Sequence, residues 1–180
     1  MRAVCLALLG LLSGSFQLAA AEAPTPAAAE EAKKDPWLGC WSKVYDAAHL
    51  TKHPGQLVTA LTLGIDARTP KGDADPGAYS ARIAASFRGK TDNYTGPEDA
   101  RCAPVSPTSD KLHCFVDGVF LGQFWLERAG KNIKLAMPDT DDELVLVPGV
   151  ELSAFVRLTP QNPEHALFLL LPAAATACGQ

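Results

Sequence analysis

The chain has no C-x-x-C pair, no G-x-S-x-G elbow and no glycine-rich phosphate loop. Thioredoxin-type redox chemistry, a zinc ribbon, hydrolysis from a nucleophile elbow and nucleotide binding at a P-loop therefore lose their usual carriers. Basic residues are scarce as well: 16 Lys and Arg stand against 20 Asp and Glu, for a net charge of −4, with no basic cluster. That balance argues against nucleic acid and against anionic lipid as partners. No apolar run approaches the roughly 20 residues that span a bilayer. The first, Ala3 to Leu12, is broken by Gly10 and followed by Ser13, Gly14 and Ser15, so a stable membrane anchor is not expected. Helical periodicity is nearly missing, which sets aside a helix bundle.

What is there begins with an export pattern. Arg2, the apolar run and Ala19-Ala20-Ala21 form the n-region, h-region and A-x-A site of a signal peptide over residues 1–21. Export to the periplasm or the outside follows, and removal of Arg2 takes the net charge from −4 to −5. Residues 22–36, EAPTPAAAEEAKKDP, offer almost nothing to bury and read as a flexible tail. A single domain is expected over 37–180. Cys5 leaves with the signal, and the four remaining cysteines, Cys40, Cys102, Cys114 and Cys178, imply two disulfides in an oxidising compartment. Three pairings are open. Cys102 with Cys114, closing a short loop that carries Pro104 and Pro107, and Cys40 with Cys178, tying the domain's ends, is the favoured set.

The body alternates with a period of two. Tyr79, Ala81, Ile83, Ala85 and Phe87 interleave with Ser80, Arg82, Ala84, Ser86 and Arg88, as a strand with one wet and one dry face does. Val150 to Leu158 and Ile133 to Met137 repeat the pattern, and β-prone apolar runs lie near 38–45, 57–65, 111–116, 119–127, 143–147 and 165–171. Turn residues separate them, Asp117-Gly118, Ala129-Gly130 and Pro148-Gly149 among others. One short helix is allowed at 45–53, with Asp46 as its cap and Pro54 as its stop. Nine or so short antiparallel strands make an all-β domain, either a small up-and-down barrel or a sandwich, and hairpins without long crossovers favour the barrel.

At the first strand the chain reads Trp37-Leu38-Gly39-Cys40-Trp41. This Gly-x-Trp at the opening of an exported β domain resembles the calycins, the lipocalin and avidin group. The resemblance implies a barrel with Trp41 closing one end, and Arg157 in the place of the arginine that covers the tryptophan.

No catalytic residue and no cofactor are expected. Asp46, His49 and His53 would share one face of the short helix and are the candidate set for zinc or copper. The acidic string Asp139 to Glu143 fails the calcium-loop pattern at Leu144 and Val150 and reads as a solvated turn. The functional expectation is a non-enzymatic binding protein whose interior, lined by Trp41, Ile83, Phe87, Leu135 and Val156, takes a small apolar ligand. The alternative is an interaction or inhibitor module for an envelope protein, acting through a loop at Asp92 to Pro107.

Overall fold

The computed structural model describes residues 35–69, 77–96, 100–116, 122–148 and 155–179. The expected signal peptide, most of the tail, the Asp117-Gly118 turn and the strand positions Val150, Leu152 and Ala154 lie outside them. Eleven antiparallel strands are seen: β1 (Gly39–Val44), β2 (Val58–Ala67), β3 (Tyr79–Phe87), β4 (Asn93–Thr95), β5 (Ala100–Pro104), β6 (Lys111–Val116), β7 (Gly122–Ala129), β8 (Asn132–Ala136), β9 (Leu144–Pro148), β10 (Val156–Leu158) and β11 (Leu167–Pro172). Eight of them close a barrel in the order β3-β2-β1-β11-β8-β7-β6-β5, and β5 pairs back onto β3. Neighbours in the wall are also neighbours along the chain once two excursions, β4 and β9–β10, are set aside. This is the up-and-down closure that consecutive hairpins favour.

The wall forks at β3. Its first part, Tyr79 to Ala81, pairs with β5, while Ala84 to Ser86 pairs with β4. From β4 a short sheet continues through β9 to β10. An isolated bridge from Glu143 to Gln123 returns it to β7. Gly122 permits that return, because a Cβ there would stand 2.7 Å from the Glu143 carbonyl oxygen.

Alternation puts every second side chain inside. Leu61, Leu63 and Ile65 of β2, Phe124 and Leu126 of β7, Ile133 and Leu135 of β8, and Phe168 and Leu170 of β11 are all buried in one core. A bulge between Val58 and Ala60 shifts the phase so that Val58 also points inward. Leu144, Leu146 and Leu158 of the β4-β9-β10 sheet join the same cluster. The one α-helix among the described residues, α1 (Ala47–Lys52), is capped by Asp46, whose Oδ1 accepts from the His49 N–H at 2.7 Å. A 3-10 turn at Ala175–Cys178 ends the described chain. Among the described residues no helix is long and apolar enough to cross a membrane.

Both disulfides are present. Cys102 and Cys114 face each other across β5 and β6 inside the barrel, with Cα atoms 4.0 Å apart. Cys40 is joined to Cys178 at 5.9 Å, fastening the segment after β11 to β1. The Ala173 N–H donates to the Cys40 carbonyl beside it. Two such bridges fit an oxidising compartment.

Three expectations need correction here. The ordered body starts before Trp37, since Asp35 accepts from the Tyr79 hydroxyl at 2.8 Å and from the Trp37 N–H at 2.9 Å. Half of the stretch from Asp92 to Pro107 is strand and not protruding loop: Asn93–Thr95 opens the sheet that branches from β3, and Ala100–Pro104 belongs to the wall. The acidic turn is not fully solvated: Asp142 is buried, and its Oδ2 accepts from the Asp139 N–H at 2.9 Å.

Candidate functional site

The residues expected to line a ligand cavity fill the barrel instead. Trp41, Ile83, Phe87 and Leu135 are buried members of the core, and Val156 packs against it. Phe87 meets Tyr94 edge to face at 4.9 Å. Trp41 lies over Gly39, where φ is +150° and a Cβ would come within 3.3 Å of the indole, which gives the Gly-x-Trp pattern a steric reason. Its Nε1–H donates to the Lys131 carbonyl at 3.0 Å. Arg157 does not cover this indole. It pairs with Glu143 at 2.6 Å and sits over Phe155.

The helix does not supply a metal site. The Asp46 carboxylate is taken by capping, the His49 and His53 rings stack on each other at 4.3 Å, His49 Nε2 meets Gln56, and His53 Nδ1 pairs with Glu164 at 3.2 Å. Among the described residues no three His, Cys, Asp or Glu side chains come together as a metal cage. Nearby, buried His165 accepts the Leu57 N–H at Nε2, 3.3 Å away. Burial holds its pKa below the usual histidine range, and Glu164 offsets that only in part.

Among the described residues a well-formed concavity lies on the outside of the wall. Cross-strand register builds it from two parallel rows. In the first, His113 faces Trp125, Trp125 faces Ala136 and Ala136 faces Leu167. A small residue between an indole and a leucine leaves a slot. In the second row Lys111 faces Glu127, Glu127 faces Lys134 and Lys134 faces Leu169. Both ammonium groups reach Glu127, each at 3.2 Å. These bonds, that from Lys134 first, hold the Glu127 carboxyl below the usual carboxylate range. Pro138 and Asp139 form the other rim, and this open slot has a volume of about 420 Å³, on the scale of small-ligand sites.

Trp125 is half-buried, with His113 stacked on it at 4.5 Å and 19°. The opposite indole face is thus turned along the row toward Ala136. Its Nε1–H is buried without an acceptor in the protein. Neither family models, curated proteins nor solved structures match this chain.

Beyond the slot, β11 turns Leu167, Leu169 and Leu171 outward at 55%, 45% and 45% exposure, so the apolar surface continues along that strand. A second concavity, about 340 Å³, lies between β2–β3 and the C-terminal 3-10 turn. Small side chains such as Thr62, Gly64 and Ala84 line it, and its one charged group, Arg82, is paired with Asp66 at 2.8 Å. It offers little to recognise. Sequence reasoning missed the Trp125 slot because its walls are 42 positions apart, although an isolated Trp on the outward phase of a strand was a signal in plain view.

Proposed function

We propose that this chain is an exported, non-catalytic binding protein that takes its ligand on the outside of its barrel, between Trp125 and Leu167. The observation that carries this reading is the row Trp125-Ala136-Leu167, an aromatic wall and an aliphatic wall separated by one methyl group. The packed interior argues against an internal ligand, because protein cores at native density have no room for one. Within the slot, Lys111 and Lys134 are each paired with Glu127. Such a set serves recognition better than proton transfer. Export is supported by the Arg2, apolar and Ala-x-Ala segment together with two disulfides. The calycin resemblance enters here as a fold reading, supported by the eight-strand closure and by Gly39 beneath Trp41. Calycin barrels of this size hold a ligand within, and use of the outer wall departs from that habit.

The test is an amide shift map of the ¹⁵N-labelled protein against a fractionated extract of the exported material of its source. Shifts should gather on β7, β8 and β11 and vanish in Ala136→Phe, which fills the slot from a position outside the core. Shifts centred on inward residues, or undiminished in that variant, would sink the proposal.

A further inference from the structure

We infer that the slot takes a neutral saccharide ring. The inference rests on the outer-wall reading above and names its ligand. Adjacent strands run about 4.8 Å apart, so the backbones carrying Trp125 and Leu167 are separated by roughly 10 Å, with only the Ala136 methyl between them. That opening admits one ring. His113 occupies one indole face and leaves the other free for stacking. A purely aromatic or aliphatic occupant would use those walls and nothing else. The rim asks for more: the ammonium groups of Lys111 and Lys134 lie on one side with the Glu127 carboxylate, and Asp139 stands at the other. Two cations against two anions cancel, so the slot selects neither an anion nor a cation. It offers donors and acceptors together around an apolar floor. A pyranose matches that arrangement, with C–H groups on its face for the indole and hydroxyls at its edge that both give and accept hydrogen bonds.

The experiment uses the mature protein with chitotetraose, maltotetraose and cellotetraose, followed by calorimetry and tryptophan emission. Trp37 and Trp41 are buried at 5% and 6%, so a ligand in the slot acts on Trp125 emission first. At least one of the three should saturate with a Kd between about 10 μM and 1 mM. Ala136→Phe, which adds bulk to the wall, and Trp125→Ala, read by calorimetry, should each weaken it about tenfold or more. No saturation by any of the three up to about 10 mM, or equal affinity in Ala136→Phe, would overturn the assignment. If the saccharides fail while extract-induced shifts still map to β7, β8 and β11 and disappear in Ala136→Phe, the saccharide falls and the outer wall stands.

Discussion

His165 couples one backbone hydrogen bond to pH. Its Nε2 serves as acceptor for Leu57 N–H, which requires the unprotonated nitrogen, and burial already opposes the charged form. The unfolded chain takes up this proton near pH 6.5, whereas the folded chain resists until lower pH. The contribution is therefore present above about 6.5 and lost as pH falls through the depressed folded value. Melting temperature should drop between about pH 7 and pH 5, and His165→Gln should flatten that slope; an unchanged slope would remove His165 as its cause. Tyr79 behaves in the opposite sense. Burial, then its bond to the Asp35 carboxylate, raises its pKa to about 12. Its contribution holds below pH 10 and fades toward pH 12, which Tyr79→Phe should abolish in a high-pH unfolding series. At this scale the sequence misled where a side chain had two possible duties. Asp46 shares a helix face with His49 and His53, but capping the helix and binding a metal compete for one carboxylate, and the cap has it. Trp125→Phe should change stability by less than about 1 kcal/mol, since no hydrogen bond of its Nε1 is lost. Denaturant titration checks it.

Strands long enough to alternate several times were readable, and β3 and β6 match their sequence runs end to end. β4, three residues long, shows less than two periods. β5 ends at Pro104, which reads as loop chemistry until β3 and β6 are seen to flank it. The Cys102–Cys114 bridge consequently spans a strand pair rather than an irregular loop. By the entropy of the loops they close, loss of the short bridge through Cys102→Ser with Cys114→Ser should cost about 3 kcal/mol, and loss of the long one through Cys40→Ser with Cys178→Ser about 5 kcal/mol. Urea unfolding of the two double variants should rank them in that order. Gly122→Ala should also destabilise, by about 1–3 kcal/mol, because a methyl group at 2.7 Å from the Glu143 oxygen forces β7 away from the residue that leads into β9. A melting point equal to that of the unchanged protein would show that the bridge yields freely.

For the molecule as a whole, hairpin succession was enough to foresee a closed wall, because sequential strands with short turns have few other ways to hide both edges. The slot on that wall was not foreseeable in the same way. It depends on register, and register is set by how Trp125, Ala136 and Leu167 fall opposite one another after closure, not by any pattern near each of them. The three outward leucines of β11 make the same face the one on which the protein should self-associate at high concentration. Leu167→Lys with Leu171→Lys should abolish concentration-dependent sedimentation, and no change would place association elsewhere. The fastening of Cys40 to Cys178, 138 positions apart, has a consequence for damage. Nearly the whole wall is one covalent ring. A protease that clips a surface turn between those cysteines opens the ring without releasing a piece, so the nicked barrel keeps all its strands on one molecule. On a gel it should run as a single band until reductant is added, and only then fall into two.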